Sequence, residues 1–77
     1  MSKESIQDAV TNSLEKYFRD LGEQTPSNIY EMLIVTVEKP MFEAVMALAD
    51  GNQSMAAEML GINRNTLRKK LQAHGLA

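Results

Sequence analysis

The sequence predicts an all-α fold of four helices. Two long core helices form half of an intertwined dimeric four-helix core, and a C-terminal helix-turn-helix follows. Three observations predict this. Apolar residues recur at helical spacing from Ile6 to Leu21, and again from about Pro26 or Ser27 to Ala49. The stretch Gly51 to Leu71 places a short helix, a glycine stop and a second capped helix in immediate succession. The apolar stripes of the first two helices also exceed what a chain of 77 residues can cover alone.

Length allows one domain, residues 1–77, with a thin core for a monomer. There is no cysteine, so disulfides and thiol chemistry are excluded. No apolar run has transmembrane length, and Met-Ser-Lys-Glu-Ser lacks the apolar centre of a signal peptide. A cytoplasmic protein is expected. The net charge of −2 at first opposes a nucleic-acid partner. Its distribution reverses that reading. Met1 to Ala49 holds four basic and eight acidic residues, whereas Asp50 to Ala77 holds four basic and two acidic. A phosphate backbone senses the field within a Debye length of roughly 10 Å, not the sum over the chain. The molecule reads as a basic tip on an acidic body.

Met1 to Glu4 is polar and expected to fray. Ser5 opens a cap pattern with Asp8 three residues on. Ile6, Val10, Leu14, Tyr17, Phe18 and Leu21 then form a wide apolar stripe, and Gly22 ends the helix. Thr25-Pro26 suits the start of a second helix, because proline in the first turn lacks only an N–H that would be unpaired anyway. Ile29, Met32, Leu33, Val37, Met41, Val45 and Leu48 carry its stripe. The β-branched run Ile34 to Val37 has no second strand to pair with and is read as helix. Pro40 is the local conflict, since it frees the Thr36 carbonyl at a cost of about 3 kcal/mol. The apolar period continues across it, so one kinked helix is expected. Such a helix would span about 32 Å. That length, the broad stripes and Met32, Met41 and Met46 favour a symmetric homodimer built on residues 6–49.

Asp50-Gly51 closes the long helix, and the helix-turn-helix occupies residues 51–73. Its first helix is expected from about Gln53 to Leu60, with Asn52 or Gln53 near the cap. Gly61 sits where a left-handed residue stops a helix. Ile62 and Asn63 form the turn, Asn63 caps, and Arg64 to about Ala73 form the second helix. Ala57 is small enough for a close helix crossing, and Leu60, Ile62, Leu67 and Leu71 pin the pair to the body. Arg64, Asn65, Arg68 and Lys69 share a side of the second helix, with Lys70 beside them. Such a helix suits a major groove, where arginine can grip guanine and asparagine adenine through two hydrogen bonds. A solvated basic helix end is the bland alternative. His74 lies in the tail and reads as a solvated residue, or as a proton-dependent phosphate contact. Gly75 is expected to cap the last helix.

Gly51-Asn52-Gln53, Ala56-Ala57, Gly61-Ile62-Asn63-Arg64 and Thr66-Leu67-Arg68-Lys69-Lys70-Leu71 together resemble the C-terminal segment of the Fis family, bacterial nucleoid-associated DNA-binding proteins. The likeness extends more weakly to about Ile6. It implies a homodimer in the cytoplasm, on the nucleoid, that binds and bends double-stranded DNA, with A/T-rich site centres. It also implies roles. Arg64 would read a guanine near each edge of the site, and Asn63 neighbouring base edges. Asn52, Ser54, Thr66, Arg68, Lys69 and Lys70 would hold phosphates. Met55 stands where the family commonly carries Arg, Asn65 where Gly is common, and Gln72 and Ala73 where lysines are common. Fewer charges imply weaker binding and a shallower salt slope. The family's mobile arms, which activate a DNA invertase, precede the first helix; the few residues there in this sequence argue against recombinase activation.

No nucleophile–base pair, glycine-rich phosphate loop or metal-ligand cluster is present, so neither an enzyme nor a cofactor is expected. Two other readings stand beside the standalone regulator. One is the DNA-binding effector domain of a larger enhancer-binding activator. The other is a protein–protein adaptor with a basic tip, which salt-sensitive duplex binding would separate from the first.

Overall fold

The computed structural model describes residues 5–77, so the fraying expected for Met1 to Glu4 lies outside the described residues. It contains α1 (Ile6–Leu21), α2 (Ile29–Leu48), α3 (Gln53–Leu60) and α4 (Arg64–Ala73). No strand occurs among the described residues.

Each helix end has a local cause. The Ser5 side chain accepts from the Asp8 N–H at 3.0 Å and starts α1. Gly22 ends it, its N–H donating to the Phe18 carbonyl at 3.3 Å. The start of α2 differs from the expectation. It begins at Ile29, because Asn28 is left-handed (φ 56°, ψ 31°) and makes no side-chain cap bond. A left-handed residue cannot continue a right-handed helix, so Thr25-Pro26 belongs to the linker rather than to the first turn.

α2 runs unbroken through Pro40, and the run Ile34 to Val37 is helical within it. Proline leaves the Thr36 carbonyl without its usual donor. Thr36 Oγ1 also donates to the Met32 carbonyl at 2.8 Å, a local bond of the kind that bends helices. Asp50 (φ 54°) and Gly51 (φ 79°) then turn the chain, with the Gly51 N–H donating to the Met46 carbonyl at 3.0 Å.

The core lies entirely within the second half of the chain. Phe42, Ala49, Ala56, Ala57, Leu67 and Leu71 are buried, and Val45, Met46, Leu60, Ile62 and Leu76 pack around them. No residue of α1 is buried, and Phe42 alone is buried in α2. Ile6 is 80% exposed and Leu48 74%; Phe18, Ile34, Val35, Val37 and Met41 are also open to solvent. The radius of gyration is 15.1 Å, with extents of 44 × 31 × 19 Å. A compact chain of this length would have a radius of roughly 11–12 Å. The described chain is thus a small packed knot with a long, under-covered helix pair attached. No helix among the described residues is long and apolar enough to cross a membrane.

Candidate nucleic-acid interface

The helix-turn-helix follows the expected boundaries. The Asn52 side chain accepts from the Met55 N–H at 3.1 Å and caps α3. Gly61 is left-handed (φ 75°, ψ 29°), which a side chain at that position would make costly. Beyond it, the Ile62 N–H returns to the Ala57 carbonyl at 3.0 Å, the closing bond of a Schellman stop. Asn63 caps α4 through Oδ1, which accepts from the Asn65 N–H at 2.7 Å. At the far end, Gly75 is left-handed (φ 71°) and the Leu76 N–H reaches the Leu71 carbonyl at 2.7 Å. Here Leu76 folds back onto the core, so the tail is part of the packing.

Leu67 and Leu71 are completely buried and fix the azimuth of α4. Burying each contributes about 1.5–3 kcal/mol. At 100° per residue, Lys69 then points directly away from the core, with Arg64 and Arg68 on one flank and Thr66 and Lys70 on the other. Asn63, Arg64, Thr66, Arg68 and Lys69 are all exposed. Arg64, Arg68 and Lys69 enter no ion pair among the described residues. This leaves three free cations on a helix held rigidly from behind.

Asn52 and Ser54 form a separate group. They line an open groove with Met55, Glu58 and Met59, made by α3 and its cap without α4. Both asparagine caps spend a carbonyl oxygen on the backbone, so each presents its NH2 outward as a donor. Donors suit phosphate oxygens and purine N7.

Lys70 is placed differently from its neighbours. Its ammonium lies 2.9 Å from Glu38 Oε2 on α2, with the lysine side chain 41% exposed and the carboxylate 17%. His74 Nε2 lies 3.0 Å from the other oxygen of the same carboxylate. The His74 ring also meets Phe42 edge-on, with centroids 5.7 Å apart at 67°. His74 is therefore mostly buried, not the solvated tail residue its sequence position suggests, and its ring faces α2 rather than solvent. Lys70 and His74 are four apart and stack on one stripe of the last turn, which is how one carboxylate reaches both.

The hydrogen bond with His74, then that with Lys70, holds the Glu38 carboxyl below the ordinary carboxylate range, outweighing its partial desolvation. A depressed carboxyl stabilises the fold above its unfolded pKa of about 4.3, and that contribution disappears as pH falls through the folded value. Glu38→Gln should accordingly lower stability at neutral pH, and the gap to wild type should close as the solution is acidified below pH 4. Urea titrations at a series of pH values would measure this. A constant gap would mean that the carboxylate charge is not what Glu38 supplies.

Sequence reasoning missed Glu38. The available signal was the pair Lys70 and His74 at helical spacing, next to the apolar stripe and facing an acidic body.

Comparison with known proteins decides the family. Residues 34–74 match the model of the bacterial regulatory protein, Fis family. The chain belongs to the Fis family. A Fis-family relative from Ralstonia nicotianae, named as a Fis-like DNA-binding protein, is 54% identical over 76 residues, covering 99% of each chain. Another so named, from Neisseria meningitidis serogroup A, is 51% identical over 71 residues, 92% of this chain and 90% of its own length. The DNA-binding protein Fis of Proteus mirabilis is 41% identical over 76 residues, 99% of this chain and 78% of its own length. The match reaches back across α1, beyond the helix-turn-helix, so the whole described architecture falls within the Fis-family likeness.

Proposed function

We propose that this chain is a homodimeric, DNA-bending transcriptional regulator of the bacterial nucleoid. Its recognition element is α4, entering the major groove of duplex DNA. The observation that carries this reading is the exposed trio Arg64, Arg68 and Lys69, without ion-pair partners among the described residues, on a helix anchored by Leu67 and Leu71. In this reading Arg64 reads guanine and Asn63 reaches adjacent base edges. Asn52, Ser54, Thr66, Arg68 and Lys69 hold phosphates, with Lys70 able to join them when free of Glu38. A gel-shift titration on A/T-rich duplexes tests the assignment. Tight, salt-sensitive retention is expected, and salt-independent or absent binding would refute it.

Residues 6–49 serve as the dimerisation helices and residues 51–73 as the reader. An apolar groove of about 210 Å³ between α1 and α2, lined by Ile6, Ala9, Val10, Leu33, Val37 and Pro40, awaits cover together with the exposed stripes. A second copy supplies matching stripes, with a two-fold axis placing one α4 at each end. The melting temperature should consequently rise with protein concentration. A monomer mass at micromolar concentration with a concentration-independent transition would sink the dimer.

Bending follows from geometry. Two recognition helices fit successive major grooves of straight duplex only at about 34 Å separation. The Fis-family resemblance implies a shorter separation of the two α4 helices, and the duplex must then curve. Curvature of 40–90° costs on the order of 1–6 kcal/mol, least where the minor groove is already narrow. Guanines at the site centre should weaken binding and inosines should restore it. Indifference to those bases, with uniform mobility in circular permutation, would exclude a bent complex.

A further inference from the structure

We propose that Glu38 is a positioning residue that withholds Lys70 from the DNA-facing surface, acting as an internal competitor for a phosphate. The inference rests on the DNA-binding reading above. Lys70 belongs to a basic run, Arg68-Lys69-Lys70, and composition alone would count three cations. The structure separates them. Lys69 points away from the core, whereas Lys70 lies about 100° round the helix, toward α2. There its ammonium meets Glu38 at 2.9 Å.

The carboxylate is well placed to hold it. Glu38 is mostly covered and fixed on α2, so little side-chain freedom is lost in keeping the pair together. A negative group beside the last turn of α4 would on its own be repelled by the carbonyl end of that helix. Lys70 and His74 on adjacent turns offset this, one on each oxygen. A charge-assisted bond to such a partner is stronger than an exposed surface pair. A phosphate must displace Glu38 to recruit Lys70, and leaving the carboxylate without Lys70 is unfavourable. Hence Glu38 sets the number of cations α4 offers, one fewer than the sequence contains.

Salt dependence of binding counts released counterions, with a slope of about 0.9 per neutralised phosphate. Three variants of the full chain, measured against one duplex, make the test. Glu38→Gln keeps the shape and an oxygen acceptor but removes the charge. It should steepen the slope by about 0.9 as Lys70 becomes available. Lys70→Ala alone should leave the slope at the wild-type value. In the double variant the steepening should vanish. A purely structural role for Glu38 would change melting and affinity without steepening the slope. The proposal is overturned if Lys70→Ala lowers the slope by about one unit, or if folded Glu38→Gln does not steepen it. Should Glu38→Gln fail to fold, Lys70→Ala decides alone by the same criterion. Failure of the DNA-binding reading looks different: the wild-type chain itself would show no salt-dependent retention of the duplex.

Discussion

Replacing Phe42 by alanine should cost about 3–5 kcal/mol and unfold the helix-turn-helix. Phe42 is 2% exposed and is the one fully buried side chain of α2. Its ring lies against His74 beyond the end of α4, so it ties the first and last parts of the packed region together. Removing it deletes apolar transfer energy and leaves a void that small neighbours such as Ala49, Ala56 and Ala57 cannot fill. Small domains have only about 5–15 kcal/mol in total, so a loss of this size consumes most of the margin. Met55→Ala, at a half-exposed site on α3, is the control and should change stability by less than about 0.5 kcal/mol. Urea denaturation of both variants followed by circular dichroism would show the contrast. A Phe42 effect below 1 kcal/mol would place the organising contacts elsewhere.

Arg64→Ala and Lys69→Ala should weaken DNA binding in different ways. Arg64 opens α4, at the end that the reading proposed above brings to the base edges. A bidentate arginine–guanine pair contributes about 1–3 kcal/mol of discrimination, or roughly 5- to 150-fold. Its loss should fall on preferred sites and spare random duplex. Lys69 points straight out from the middle of the helix and, in the reading proposed above, holds a phosphate. Its loss should weaken all duplexes alike and lower the salt slope by about one unit. Competition titrations with specific and random DNA at several salt concentrations distinguish the two. Equal losses on both DNAs for both variants would remove Arg64 as a reader.

The helix-turn-helix was legible because its boundaries are set by neighbours in sequence. Asn52, Gly61 and Asn63 act within three or four residues of themselves, and α3 and α4 begin and end where those residues dictate. The continuity of α2 through Pro40 was legible too, since the apolar period on both sides outvoted one residue. The start of α2 was not. Thr25-Pro26 carries a start signal, but the left-handed Asn28 overrides it, and asparagine gives little warning of which conformation it will take. The pairing of His74 and Lys70 with Glu38 was missed for a different reason. Their partner Glu38 lies on another helix, 36 and 32 residues away, and the i, i+4 spacing of Lys70 and His74 does not say which carboxylate they meet. The surplus of apolar surface on α1 and α2 was readable from spacing alone, and in the described chain it remains uncovered.

The buried core begins at Phe42, and that has a consequence for the order in which the protein is made. Synthesis runs from the N-terminus at about 5–20 residues per second. The stripes of α1 and early α2 therefore leave the ribosome seconds before the residues that pack. Nothing yet synthesised can bury them, and even the completed chain buries none of α1. In the homodimer proposed above, their protection waits on an encounter with a second copy, a second-order event whose delay lengthens as expression falls. In the proposed homodimer, scarce protein should thus leave the stripes of α1 and early α2 uncovered for longer after synthesis.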